Sequence, residues 1–367
     1  MKEGWEIKKF ENCIGKIPKP QQLKTSDYKS EGRYPIVSQE ACTISGYTDL
    51  QDCVYLVNKP VVIFGDHTRV LKYIDFSFVV GADGVKILIP NNEFNSKYFY
   101  YYLTWCDIPS LGYSRHYKLL KELDIPVPPL PTQERIVSEL DCINSIIEKK
   151  REQLKELDAL AQSIFYDMFG DPIHNEMGWE LRKLGEIYNF IDYRGKTPNK
   201  IDSGIPLITA RNIRKGYIDY SIKEYISEEE FSQRQSRGVA QKGDLLFTTE
   251  APMGFAAIAD LEVFSTGQRL ITFQAHCENV VNNRYALYQI LSEQFQFELS
   301  KQATGATVKG IKGSKLECMT IPLPPLPLQQ SFASKIEAIE KQKELIKRSI
   351  AETETLLASR MQYYFVE

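Results

Sequence analysis

Two stretches of this chain carry apolar residues at alternating spacings of four and three, with charged and amide residues between them. In the first, Ile136, Leu140, Ile143, Ile147, Leu154, Leu157, Ala161, Ile164 and Met168 mark the positions, and Lys150 is the polar residue among them. In the second, Phe332, Ile336, Ile339, Ile346, Ile350 and Leu357 do so, with Lys343, Thr353, Arg360 and Tyr364 in the remaining places. This is the a/d register of a coiled coil, so both stretches are predicted as long helices with one narrow apolar seam. From Thr132 to Phe169 such a helix would run about 57 Å at roughly 1.5 Å per residue. A lone helix cannot hide a seam of that length. Pairing the two helices with each other covers both seams, and folding each onto its own upstream body is the alternative.

Each helix is preceded by the same proline-studded phrase, IPVPPLPTQE from Ile125 and IPLPPLPLQQ from Ile321. Consecutive prolines neither extend a strand ladder nor sit inside a helix. The phrase therefore predicts a stiff, extended joint that ends the last strand and launches the helix in a fixed direction. A proline-rich ligand for another domain is the competing reading. Sliding the sequence against itself by 196 residues aligns the two phrases, and the match runs on through Ser138 with Ser334, Ile143 with Ile339, Leu160 with Leu356, Ser163 with Ser359 and Phe169 with Phe365. Upstream, GWEIKKF at Gly4 and GWELRKL at Gly178 open the two copies at a slightly different offset. A repeat this long is a duplicated domain plan rather than a solenoid.

The segments between opening and joint, Gly4 to about Asp124 and Gly178 to about Thr320, read as mixed α/β. Strand-like runs are DCVYLV, PVVIFG, FSFVVG and VKILIP in the first, and IPLITA, GDLLFTTE, FAAIA and QRLITFQA in the second. SKYFYYYLTWC and NRYALYQILSEQFQFELSKQ, late in each body, read as helices. In both copies short strands come first and a helix follows.

At 367 residues the chain has room for two or three domains. Its seven cysteines are scattered without a CxxC pair, which argues against a disulfide framework or a zinc site and for a reducing, cytoplasmic setting. No apolar stretch predicts export or membrane spanning. Catalytic motifs are missing as well: there is no phosphate-cradling GxxxxGK[ST], no GxGxxG after a strand, no GxSxG elbow, no HExxH, and no Asn-Pro-Pro-aromatic methyltransferase signature. His67, His116, His174 and His276 are isolated from one another. Asp244 and Glu250 lack the following lysine of a nuclease carboxylate set and read as a turn and a strand end. The weight falls on a binding protein that holds no cofactor or metal of its own.

What it binds is suggested by basic, glycine-containing loops placed alike in the two copies, GYSRHYKLLK from Gly112 and TGATVKGIKGSK from Thr304, each just before a joint. Arg115, His116 and Lys118, or Lys309, Lys312 and Lys315, have the charge to meet phosphates, while Tyr117, Arg115 and Thr307 have the reach for base edges. Taken singly each is a solvated basic loop; recurrence favours function. GDHTRV supplies Gly65, His67, Thr68 and Arg69, and TARNIRKGY supplies Thr209, Arg211, Asn212 and Arg214. Asn212 and Arg211 have the side chains that pair bidentately with adenine and guanine. A formal charge of −3 opposes a stand-alone nucleic-acid binder. Lys and Arg outnumber Asp and Glu by only one over residues 1–125, and trail them by one over 171–321.

Together, the GWE[I/L][K/R]K openings, GDHTRVLKYIDFSFVVGADGVKIL, SRHYKLLKELDIPVPPLPTQERIV and TGATVKGIKGSKLECMTIPLPPLPLQQ resemble the specificity subunit of type I restriction-modification systems, over essentially the whole chain. The resemblance implies an α/β (α+β) fold class: two tandem target-recognition domains, each followed by a long helix, the helices pairing as an antiparallel coiled coil. The divisions expected are 1–124, 125–170, 171–320 and 321–367. It further implies that each domain reads half of a bipartite, asymmetric duplex DNA site. Two modification subunits using S-adenosylmethionine would be partners, as would ATP- and Mg-dependent restriction subunits. On this view the chain has no catalytic residue, binds DNA weakly alone, and lacks a terminal extension joining its two ends. A specificity part of a related type II system is a second reading. A coiled-coil adaptor that binds only protein is a third, favoured if no methyltransferase or helicase-nuclease gene lies nearby.

Overall fold

The structure, a computed structural model, describes residues 5–112, 114–171, 174–195, 197–276, 280–305 and 309–366. The chain forms two compact units, Met1–Glu152 with Ile346–Glu367, and Gln153–Leu345. Each unit therefore contains one body and one half of each long helix, Leu130–Phe169 and Leu326–Phe365.

In the first body, strands Val61–Gly65, Leu71–Ile74 and Val85–Leu88 form an antiparallel sheet with Val61–Gly65 in the middle. That central strand, VVIFG, is buried along its whole length, as a run apolar on both faces requires. A second sheet places Tyr34–Val37 parallel to Phe78–Val80, flanked by Gly46–Thr48 and Val54–Tyr55. The second body repeats the plan. Leu245–Thr248 and Leu270–Ala275 are the inner strands of a four-stranded antiparallel sheet, and Ile205–Ile208 runs parallel to Ser265–Thr266 in the other. The runs picked out as strands all contain one, while short strands such as Glu6–Lys9, Gly46–Thr48 and Leu71–Ile74 lie outside them. Where one helix was expected from NRYALYQILSEQFQFELSKQ there are two, Asn283–Leu291 and Glu293–Gln302. Ser292 adopts an extended conformation between them, and its hydroxyl accepts from the N–H of Phe295, so it caps the second helix instead of continuing the first.

The openings and joints meet. Glu6–Lys9 pairs antiparallel with Asp124–Val127, and Leu181–Lys183 with Thr320–Pro322. Two-stranded ladders tolerate Pro126 and Pro322 because an edge leaves one N–H row unused. Each long helix begins within the proline phrase, two residues before the expected Thr132 in the first copy, with Pro131 and Pro327 second in their helices, where no intrahelical N–H bond is lost.

Within each unit the helix halves run antiparallel. In the first, Glu139 pairs with Arg360, Lys150 Nζ donates to Ser349 Oγ at 2.6 Å and Thr353 Oγ1 at 3.0 Å, and Arg151 meets Glu354 at 2.8 Å. In the second, Asp158 pairs with Lys343, and Phe165 and Phe169 pack on Phe332 with centroids 5.5 and 5.3 Å apart. Ile136, Leu140, Ile143, Ile147, Phe332, Ile336 and Ile339 are buried, whereas Leu154, Leu157, Ile164, Ile346, Ile350 and Leu357 are half-buried, as befits a two-helix seam. Burial deepens where a body covers the pair. Met361, Tyr364 and Phe365 enter the core of the first body beside Tyr98, Tyr102 and Leu140, and Ala161, Phe165 and Phe169 pack with Tyr285 of the second. Among the described residues no helix is long and apolar enough to cross a membrane.

Candidate nucleic-acid interface

Four chain segments converge in the first body: Ser38–Ser45 after one strand, the turn Asp66–Arg69 after another, Gly81–Gly84 between two more, and, ahead of the joint, Leu111–Gly112 with Ser114–His116. Polar side chains knit them. Gln39 Oε1 accepts from the N–H of His67 and its Nε2 donates to Asp83 O, while the N–H of Asp66 donates to Gly84 O. The N–H of His116 donates to Asp66 O at 2.8 Å. Lys72, only 5% exposed, ties down Ser38–Ser45 by donating to Ser38 O and Cys42 O, and burial lowers its pKa.

These bonds separate the candidates. His116 is fully buried: Nε2 accepts from the N–H of Leu111, which leaves the proton on Nδ1 to donate to Asp66 O. It holds two loops together from inside rather than presenting a polar edge. Gly65 is also interior, since a Cβ there would lie 2.2 Å from Thr68 Oγ1. Arg69, at φ +63°, donates to Ile108 O, and the Tyr117 ring packs on Phe10 with Lys86 and Lys121 over it. His67 is half-buried; Thr68, Arg115 and Lys118 are exposed.

The second body assembles its interface from the equivalent four places. The N–H of Gly267 donates to Ile208 O, and a Cβ on Gly267 would meet Thr209 at 3.1 Å. The N–H of Thr249 donates to Arg269 O, and that of Ile311 donates to Thr249 O. Gly310 bridges to both Glu250 and Thr304. Asn212, a candidate for base pairing by the chemistry of its side chain, is 1% exposed. Its Oδ1 accepts from Thr209 N and Oγ1, and its Nδ2 donates to Asp219 O and Ile222 O, so the amide is spent holding its own loop. Arg214 is bound to Asp219 and to Arg211 O. Lys315 turns onto Gln302 O. Arg211, Lys309 and Lys312 are exposed and Thr209 half-buried; Thr307 lies outside the described residues.

The fold adds side chains that no local motif marked. Arg269 pairs with Glu250 at 2.9 Å, and Arg237 donates to Asp192 O and Arg194 O. Arg194 pairs with Asp192 and lies against Gly313, whose Cβ would meet it at 2.7 Å. Thr197 donates to Gln268 at 3.1 Å. Arg194, Arg237, Gln268 and Arg269 thus join Lys309 and Lys312 on one loop cluster. Asp192 and Glu250 partly neutralise Arg194 and Arg269 where they stand. Glu250 is an ion-pair partner here, and Asp244 is buried, its carboxylate accepting from the N–H of Gln241 with its pKa raised by burial. Among the described residues no group of three or more potential metal ligands occurs.

Two bodies of one plan, each with a polar loop cluster at the same place and each fused to an antiparallel helix pair, define a two-headed recognition protein. The family described as the type I restriction modification DNA specificity domain matches residues 2–158 and again residues 176–355. The chain belongs to that family and is a type I restriction-modification specificity subunit. It is 24% identical over 378 residues to the EcoR124I/EcoR124II specificity subunit of Escherichia coli, covering 96% of this chain and 91% of that protein. It is 22% identical to the MjaVIII specificity subunit of Methanocaldococcus jannaschii, covering 95% and 90%. In fold it is similar to the S subunit from M. genitalium, with a TM-score of 0.61 at 15% identity over 99% of this chain and 96% of that one. A chain from a structure of type I R-M complex assembly and conformational transition gives 0.57 at 18% over 99% and 98%.

Proposed function

We propose that this subunit selects the DNA sites on which its partners act, each recognition domain reading one half of a bipartite, asymmetric duplex site and the helix pair setting the unread gap. The observation that carries the reading is the recurrence of one four-loop cluster in two bodies whose exposed residues differ. Thr68, Arg115 and Lys118 would serve one half-site, and Arg211, Arg269, Lys309 and Lys312 the other. Arginines held by carboxylates are rigid donors suited to base edges, and the lysines supply phosphate contact. The near-neutral bodies supply little counterion release, so the methyltransferase subunits provide the bulk of the non-specific attraction. S-adenosylmethionine, ATP and Mg belong to those subunits and to the restriction subunits; this chain docks them and performs no chemistry.

Methylome sequencing of cells with and without the gene tests the reading. A bipartite adenine-methylation motif should vanish on deletion. Exchanging residues 1–124 for another such body should change one half of the motif alone, provided the incoming body keeps the counterparts of Tyr98, Tyr102 and Trp105 that receive Phe365. A swap that alters both halves overturns the assignment of one reader per copy.

A further inference from the structure

Gln133 and Gln329 are each the fourth residue of a long helix, and each is fully buried. The carboxamide oxygen of Gln133 accepts from the N–H of Asn95 at 2.8 Å, and its nitrogen donates to Glu93 O and Pro128 O, both at 2.8 Å. Gln329 repeats the pattern, accepting from Asn282 N at 2.8 Å and donating to Val280 O at 3.3 Å and Pro324 O at 2.7 Å. Asn95 and Asn282 also cap the body helices that follow them. A tyrosine completes each joint: Tyr98 Oη donates to Pro126 O at 3.1 Å, and Tyr285 Oη to Pro322 O at 2.8 Å. The tyrosine-to-proline bond spans 28 residues in the first copy and 37 in the second, so the chain between has changed length while the joint has not. The loop anchors Lys72, His116 and Asn212 differ between copies; the joints are alike. What the two bodies share is the way each is mounted on its helix.

A buried amide with its oxygen and both N–H groups engaged fixes three chain segments at once, and turning the body about the joint would strand at least one of those groups without water. We infer that Gln133 and Gln329 are positioning residues that fix the angle between each body and its helix and so hold the unread gap of the DNA site at a single length. This rests on the bipartite reading proposed above. Neighbouring base pairs are about 3.4 Å apart along the axis. A body of this size has a radius of gyration of about 14 Å, so a tilt of roughly 10° at the joint carries loops some 20–30 Å away across one such step. A loosened joint would accept two adjacent gap lengths.

The test is the methylome of cells carrying the full assembly with wild-type chain, Gln133→Met or Gln329→Met, each of which keeps side-chain volume and removes the amide. Expected are unchanged half-site sequences and, beside the wild-type gap, a second gap differing by one base pair. Methylation at the single wild-type gap in both variants overturns the inference, because a residue that only stabilises would lower the extent of methylation without adding a gap; so does a change in a half-site sequence. Should either variant fail to accumulate, Tyr98→Phe and Tyr285→Phe, which each remove one bond of the same joint and keep the ring, decide by the same criterion. A wild-type methylome without a bipartite motif overturns the functional reading itself, and is distinguished by appearing before any substitution is made.

Discussion

At the scale of single residues, the loop clusters divide into side chains that hold and side chains that face outward. Asn212 and Arg211 stand side by side in sequence and fall on opposite sides of that line. Asn212→Ala would leave Thr209, Asp219 and Ile222 backbone groups without their partner inside the loop, a cost of about 2–3 kcal/mol that urea unfolding would register. Arg211→Ala removes a side chain whose ion-pair contact is Glu224 at 3.5 Å and should change stability by less than about 0.5 kcal/mol. In the assembled complex the same Arg211→Ala change should weaken DNA binding by about 1–3 kcal/mol and relax specificity at one position of its half-site, leaving the salt dependence nearly unchanged. Equal effects of the two substitutions on stability would contradict the division. Nothing in TARNIRKGY distinguishes the two residues, since which amide turns inward is settled by Asp219 and Ile222 meeting it across a turn. The recurrence of basic loops before each joint was visible in the sequence. Arg194, Arg237 and Arg269 come from separate segments and converge only once the sheets are formed, so no local spacing marks them.

At the scale of elements, the helices were legible because a seam is written by near neighbours three and four residues apart. Their ends were less so. Phe165, Met361 and Phe365 lie where the seam gives way to contact with a body, and that body is remote in sequence from each of them. The strands seen in advance lie in runs dominated by apolar residues, whereas Glu6–Lys9 and Leu181–Lys183 are short and mostly charged, and depend on partners that sequence does not identify. One helix contact carries a pH signature. Glu139 accepts from Arg360 and Tyr364, and these bonds hold its carboxyl below the usual glutamate value. With the folded pKa depressed, the contribution is complete above the unfolded value of about 4.3 and drains away as pH falls through the folded pKa. For a partly exposed pair it amounts to at most about 1 kcal/mol. Thermal melts should therefore show wild type more stable than Glu139→Gln near neutrality, with the gap closing below about pH 4. A difference that persists unchanged at low pH would mean the carboxylate's charge is not what Arg360 uses.

At the scale of the whole molecule, each compact unit is completed by helix from the other copy, and this makes the two halves of the sequence interdependent. The first body's core includes Met361, Tyr364 and Phe365, and the Phe365 ring meets those of Tyr98, Tyr102 and Trp105 at centroid distances between 5.3 and 5.9 Å. Removing a buried phenylalanine side chain alone costs about 3–5 kcal/mol, against a total stability of about 5–15 kcal/mol for an ordinary domain. Ending the chain at Leu345 removes all three side chains together with the Glu139 and Lys150 contacts, and so should unfold or loosen a body that lies more than two hundred residues upstream. Hydrogen exchange is the measurement, because it reports each unit separately. Helix Ser96–Trp105 should lose its protection in the truncated chain, while strands Leu245–Thr248 and Leu270–Ala275 of the other unit keep theirs. Phe365→Ala in the full chain should move in the same direction by about 3 kcal/mol and spare the helix pair's middle. If the truncated chain protects Ser96–Trp105 as the full chain does, the first body is self-sufficient and the second copy's helix merely rests on it. Loss of protection in the second body's strands as well would mean that the units unfold together, and that a substitution meant for one head acts on both.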